Sequence, residues 1–319
     1  MILAFSLCLA ALSWACVHSV KDHSLQQKDP EEEWTEEFSR ARRFESGALF
    51  DSAELHYKRA LEVSRAFAPG DQRALRTRLA LADLYVVRGR IDLAEAEYLE
   101  VVRIQRAAYG DENEAVADTL NRLGALYVDY GRAAEARPHL EEALRIRVHV
   151  YGWKHPATVA TMQNLAAVYR EIAHYEAAEK LYLQALEVYD ASGEQYYGAA
   201  SVVQNNLALL YRRMGRVDEA ENLHLYAIAL STRINGPRNP NVAVFSRDLA
   251  NLYAAEERYD ESEALFQDAI RVFIANYGES HYEVRRTLTD LAAMLEGAGR
   301  DEEADRYYER AAAIPDMRK

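Results

Sequence analysis

Arg122, Asn164, Asn206 and Asp248 stand 42 residues apart, and Ala80 and Asp290 extend the same step at either end. The column one residue earlier reads Leu79, Asn121, Gln163, Asn205, Arg247 and Thr289. Carboxamides donate and accept as a peptide backbone does, and a guanidinium grips a carboxylate through two parallel hydrogen bonds. Arg170, Arg212 and Arg213 add positive charge to the middle of the same stretch. These residues could hold an extended polypeptide that carries acidic groups. A plainer reading, that they are the solvated side of a row of helices, stays open beside it.

Bond-making chemistry has no comparable support. The sequence contains no HExxH, GxSxG or GxxxxGK[ST] pattern and no glycine-rich dinucleotide loop, so a non-enzymatic role is expected, with no cofactor and no metal. Adjacent carboxylates such as Glu141 and Glu142, or Glu302 and Glu303, read as solvated helix surface. The acidic stretch DENEAVAD at 111–118 lacks the spacing and central glycine of a calcium loop. His18 and His23 read as linker residues, His155 and His281 as loop or capping residues, and His224 as a core histidine with its hydrogen bonds met.

The elements that must position the polar columns are visible in the apolar ones. Leu81, Leu123, Leu165, Leu207, Leu249 and Leu291 share one column. The next holds only Ala or Gly, and Tyr85, Tyr127, Tyr169, Tyr211 and Tyr253 follow three further on, with Leu295 closing the series. Spacings of three and four put these residues on one face of a helix. A turn with Gly89, Gly131, Gly215 or Gly299 follows, Ala173 and Glu257 replacing the glycine in two copies. A second helix then shows a small column (Ala94, Ala136, Ala178, Ala220, Ser262, Ala304) and, four residues on, a bulky one (Tyr98, Leu140, Tyr182, His224, Phe266, Tyr308). Small opposite large describes an antiparallel pair, and such pairs bury their apolar faces only by stacking on neighbours.

The Leu-Ala-x-x-Tyr core, the Gly-x-x-x-Glu-Ala turn and the junctions YGWKHPATVA (151–160), GPRNPNVAV (236–244) and YGESHYEV (277–284) resemble the tetratricopeptide repeat in its 42-residue, kinesin-light-chain-like form. The resemblance implies an all-α, right-handed superhelical solenoid whose first helices line a concave groove. It also implies a protein-interaction scaffold whose groove binds a protein or peptide. The expected groove residues are Asn121, Arg122, Gln163, Asn164, Arg170, Asn205, Asn206, Arg212, Arg213, Arg247 and Asp248. The expected organisation is a degenerate N-terminal helix pair at 31–69, six units at 70–111, 112–153, 154–195, 196–237, 238–279 and 280–313, and a tail at 314–319.

Composition agrees with helices: 7 Pro and 14 Gly in 319 residues leave few breakers. A net charge of −13 argues against a general nucleic-acid partner, since phosphate binding needs a basic face. Both cysteines, Cys8 and Cys16, precede the repeats, which excludes a disulfide framework there. The uncharged start MILAFSLCLAALSWAC reads as a signal peptide over 1–15, followed by a polar linker over 16–30. Ser13-Trp14-Ala15 suits ordinary cleavage, while LSWAC resembles a bacterial lipobox with Cys16 as the lipidated residue. A lipoprotein, a freely secreted form and an uncleaved anchor all remain open. Export to a bacterial cell envelope is the expected localisation, the outer membrane if Cys16 is lipidated, since Val17 follows it.

Overall fold

A computed structural model of the chain describes residues 28–315. The expected signal peptide, lipid-accepting Cys16, most of the linker and the end of the tail lie outside the described residues. Within them the chain forms fourteen α-helices and two short 3-10 turns, with no strand. It divides into two compact units, Met1–Leu84 and Tyr85–Lys319. The division falls inside the third helix.

The first unit holds α1 (Pro30–Ser46), α2 (Phe50–Val63) and most of α3 (Gln72–Val87). Asp29 caps α1 by accepting from the Glu31 backbone N–H at 3.0 Å, Pro30 sits in the first turn, and Glu31, Glu32 and Glu33 complement the helix dipole. Trp34 and Phe38 stack at 5.0 Å, Phe38 meets Tyr57 edge-on, and the Trp34 indole donates to Thr77 Oγ1 at 3.0 Å. The left-handed turn residue is Ala48 rather than the neighbouring Gly47. It lies one residue short of a full step before Gly89, which is the register slip that makes this pair degenerate.

The second unit is a row of hairpins. Its helices are α4 (Ile91–Tyr109), α5 (Glu114–Asp129), α6 (Ala133–Tyr151), α7 (Pro156–Glu171), α8 (Tyr175–Ser192), α9 (Tyr197–Arg213) and α10 (Val217–Asn235). The row continues with α11 (Pro240–Ala255), α12 (Tyr259–Tyr277), α13 (Tyr282–Gly297) and α14 (Asp301–Ala312). Each first helix packs on its own second helix, and each second helix packs on the next first helix. Both small columns are sealed inside: Ala136, Ala178, Ala220 and Ser262 are all 0 % exposed, as are Ala166, Ala208 and Ala250. Ser262 is tolerated there because its hydroxyl donates to the Ala250 carbonyl at 2.8 Å. At Gly124 even a methyl is too large, since a Cβ would lie 2.4 Å from Leu140 Cγ.

The caps follow the sequence reading. Asn113, His155, Asn239 and His281 each accept a backbone N–H two residues on, at the starts of α5, α7, α11 and α13. His155 and His281 are thus capping residues, stacked on Tyr151 and Tyr277 at 4.1 and 4.3 Å. Ile314, expected in a tail, is only 8 % exposed and packs into the last hydrophobic cluster, so the chain after α14 closes the end of the array.

Within each hairpin turn a left-handed residue is required. Gly131, Gly215 and Gly299 adopt φ of 71°, 72° and 75°, while Ala173 and Glu257 are held at 60° and 59°. An L-residue pays about 1–2 kcal/mol for that conformation, and glycine gives part of it back through unfolded-state entropy. Ala173→Gly and Glu257→Gly should therefore each raise stability by about 0.5–1 kcal/mol, read as a higher urea midpoint at unchanged m-value.

Candidate functional site

First helices of successive hairpins touch one another (α5 with α7, α7 with α9, α9 with α11, α11 with α13), which puts them on the inner side of the stack. The polar columns sit on these helices, and much of their hydrogen bonding runs from one first helix to the next. Asn164 Nδ2 donates to Asn121 Oδ1 at 3.1 Å, and Asn205 Nδ2 donates to Asp248 Oδ2 at 2.8 Å. Asn251 Nδ2 reaches Asp290 Oδ2 at 3.4 Å. Gln163 turns away to the second helix and donates to the Tyr189 hydroxyl at 2.8 Å.

Three residues expected to face a ligand are inside the protein instead. Asn205, Arg247 and Asp248 are 3 %, 2 % and 8 % exposed. Arg247 pairs with Glu283 and lies 3.8 Å from Asp248 and 3.9 Å from Asp290. Burial pushes the Asp248 carboxyl above the usual range, with Arg247 and Asn205 opposing it. The same period that lines up polar side chains on a surface also lines up buried ones, and only the packing separates the two cases.

The residues left open lie further along the same helices, in α7 and α9. Asn206 and Arg212 are half-buried and have no hydrogen-bond or ion-pair partner among the described residues. Burial lowers the Arg212 pKa from its ordinary value; the negative charges of Asp248 and Asp290 oppose this, and the positive charges of Arg213 and Arg170 add to it. Arg170 bonds only to the neighbouring Glu171, and its Nη1 is buried without an acceptor. Arg213 lies 3.8 Å from Glu171, and Arg122 is exposed. A half-buried cation with unmet donors is an electrostatic deficit that an anionic group would relieve.

His224 occupies the bulky column of α10 at 0 % exposure. Its Nδ1 lies 2.8 Å from Asn205 Oδ1, and because Asn205 Nδ2 already donates to Asp248, that imidazole nitrogen carries the proton. Nε2 is left without a partner, so the expected full satisfaction is only half met. Burial and the nearby Arg212 charge hold the imidazole pKa down to about 3. The folded pKa is depressed, so the stability is complete above the unfolded value of about 6.5 and is lost as pH falls toward 3. The loss is about 1.4 kcal/mol per pH unit, or about 2 kcal/mol at pH 5. Asp248, with its raised pKa, acts in the opposite sense in both proteins. His224→Phe, the residue type at Phe266 in the same column, should therefore show that much less acid loss than wild type in paired urea titrations at pH 7 and pH 5.

One group of residues escaped the sequence reading. Arg216 at the start of α10 stacks on Tyr211 at 3.8 Å, pairs with Glu219 in its own helix and reaches Glu179 of the previous hairpin at 2.7 Å. Arg258 repeats this with Tyr253, Glu261 and Glu221, and Arg132 with Tyr127, Glu135 and Glu95. Arg300 pairs with Glu303 and Glu263. These arginines hold Glu135, Glu219, Glu261 and Glu303 below the usual carboxylate range. The signal was present in the turn motif, where Arg follows Gly131, Gly215, Glu257 and Gly299 and Glu returns three residues later. Hairpin α7–α8 departs from it, with His174 for the Arg, Ala177 for the Glu and Arg137 at the earlier Glu position.

Stacked hairpins with a polar inner face and salt-bridged seams define a helical repeat array. The chain matches the tetratricopeptide repeat family model over residues 73–147, 119–191, 200–273 and 244–316, and it belongs to that family. No curated protein sequence matches it. Among solved structures it is similar to BtubC (BKLC) from P. vanneervenii, at 20 % identity and a TM-score of 0.52, covering 76 % of this chain and 91 % of that one. A tetratricopeptide repeat protein from Parabacteroides merdae is 16 % identical over 89 % of this chain and 94 % of its own, with a TM-score of 0.63. A Rap protein complexed with Competence and Sporulation Factor is 16 % identical over 91 % and 77 %, with a TM-score of 0.60. At these identities the likeness is one of fold. Repeat arrays of this family are in general protein-interaction scaffolds. Among the described residues no three His, Cys, Asp or Glu side chains gather as a metal site, and no helix is long and apolar enough to cross a membrane.

Proposed function

We propose that this chain is a non-enzymatic scaffold whose inner face binds an extended polypeptide segment carrying acidic groups, seated against α7, α9 and the helices beside them. The observation that carries this reading is the pair of guanidiniums with unmet donors: Arg212, with no hydrogen-bond or ion-pair partner among the described residues, and Arg170, whose Nη1 is buried without an acceptor. Asn206 and the free face of Asn164 are placed to bond the backbone of the same segment. The Rap protein complexed with Competence and Sporulation Factor lends support as an array of the same fold with a bound factor. Replacing both Asn164 and Asn206 with glutamate should abolish capture of partners from envelope extracts while the helical circular dichroism is retained. An unchanged set of captured proteins would refute the groove.

The reading includes export, with Cys16 as a lipid anchor in a bacterial envelope. It is supported by the uncharged apolar start and by the position of that cysteine in LSWAC. Metabolic palmitate labelling that is lost in Cys16→Ser tests the anchor. A second reading, assembly through self-association, draws on Leu183, Leu225 and Tyr226, which are 47 %, 45 % and 57 % exposed on the outer helices α8 and α10. A monomer in light scattering at high concentration would count against it.

A further inference from the structure

We propose that the outer side of the array carries a site for a small aromatic carboxylate, apart from the polypeptide groove and independent of it. The site is a cavity of about 630 Å³ between α10 and α12, with α11 as its floor. Ile228, Val242, Leu265 and Val272 give it apolar walls, and Pro237 and Arg238 of the junction stand at its exposed end. Apolar walls, a few polar groups and a volume of this order are what a small-molecule site needs.

Two polar groups in it have unmet bonding capacity. Ser246 on α11 is only 8 % exposed and lines the cavity, yet its hydroxyl has no hydrogen-bond partner among the described residues. Thr287 shows the usual alternative, donating to the Glu283 carbonyl one turn back at 2.7 Å. The Arg238 guanidinium has no hydrogen-bond or ion-pair partner among the described residues, while Arg271 is neutralised by Asp268. One positive charge is therefore left over at the cavity, and an anion would meet it there. Ser246 lies about 9 Å along the α11 axis from Pro240, and Arg238 precedes that helix, so the charged and polar ends of an occupant stand apart with apolar walls between them.

The repeat itself supplies the shape of the occupant. Two units earlier, the same positions hold Trp153, Lys154 and Met162 in place of Pro237, Arg238 and Ser246, and the equivalent cavity beside α8 is only about 140 Å³. The larger indole and thioether take up space there that proline and serine leave open here, and a cation stands at the exposed end of both. Elsewhere the column of Ser246 holds Leu120, Gln204 and Leu288, all of them larger. A flat ring fills the place of the missing indole, with its polar far edge at the Ser246 hydroxyl and a carboxylate on a short arm meeting Arg238.

Isothermal titration calorimetry of the full chain with para-hydroxyphenylpropionate tests the site. Saturable binding is expected, and about fivefold weaker binding of the corresponding propanol, which lacks the charge. Arg238→Gln should bring the acid down to the level of the alcohol. Ser246→Met and the surface substitution Pro237→Trp, the residue types of the smaller cavity, should each suppress binding of both compounds while the helical circular dichroism is retained. No saturable binding of the acid overturns the proposal, as does binding that survives both cavity-filling variants. Octanoate binding as tightly as the aromatic acid overturns it in favour of an acyl chain, and a dimer in light scattering that Ser246→Met turns into a monomer overturns it in favour of a second copy. Replacing Asn164 and Asn206 on the inner helices should leave the affinity for the acid unchanged, which separates this site from the groove.

Discussion

Arg247→Ala is expected to destabilise the array by about 3–5 kcal/mol, the scale for removing one partner of a buried ion pair. The guanidinium is 2 % exposed and stands among Glu283, Asp248 and Asp290, so its loss leaves the largely buried Asp248 and Glu283 and the partly exposed Asp290 without the cation between them. Two consequences separate this from loss of packing. The deficit should shrink as pH falls, because the orphaned carboxylates take up protons in the folded state before they do so unfolded. It should also be partly restored by Glu283→Gln in the same chain, which removes a charge and keeps the shape. Urea denaturation of the three proteins at pH 7 and pH 5 reads both effects, and a pH-independent deficit would show that the residue acts by volume alone.

Reversing both Arg170 and Arg212 to glutamate is the second large effect, and it is functional rather than structural. Neither side chain holds another element in place: Arg170 bonds its chain neighbour, and Arg212 bonds nothing among the described residues. The variant should keep its helical circular dichroism, with a lower urea midpoint because the new carboxylate at 212 lies near Asp248 and Asp290. It should lose binding of a Glu-Glu peptide by at least about a hundredfold, since each charge-assisted contact is worth about 1.5–3 kcal/mol and is replaced by repulsion. Fluorescence anisotropy in 50 and 200 mM salt measures it, and peptide binding that survives the reversal would move the anionic site elsewhere.

The repeat was legible in the sequence because its period is exact to the residue. A column that never exceeds alanine has one physical meaning, and Ala166, Ala208 and Ala250 are indeed wholly buried. The capping roles of His155 and His281 were legible too, since a polar side chain just before an apolar-periodic run has few other uses. The site was harder. Asn205, Arg247 and Asp248 share their columns with open residues, and periodicity cannot tell which polar side chain a neighbouring helix will cover. Asn205 and Arg247 meet Asp248 and Glu283, 43 and 36 residues away, offsets invisible while the chain is aligned at its own period. The arginine clasps were harder to read because each joins a turn arginine to a glutamate 37 residues earlier, as in Arg216 with Glu179 and Arg258 with Glu221, beyond the bounds of one turn motif.

The hairpin that lacks the arginine clasp is the place where strain along the array would be taken up first. At the turn end of the seam between α6 and α7, the Tyr169 hydroxyl reaches across to Glu141 at 3.0 Å, in place of an arginine clasp. At the opposite end of α6, the buried Arg147 is fastened to the Ala157 carbonyl at 2.8 Å and to Thr161, both on α7. A joint pinned firmly on one side and lightly on the other swings like a door on its hinge post. Such a swing would alter the distance between Arg122 and Asn164 while leaving the α7–α9 contact surface whole, so the trough could widen for a bulky cargo without taking its own grip apart.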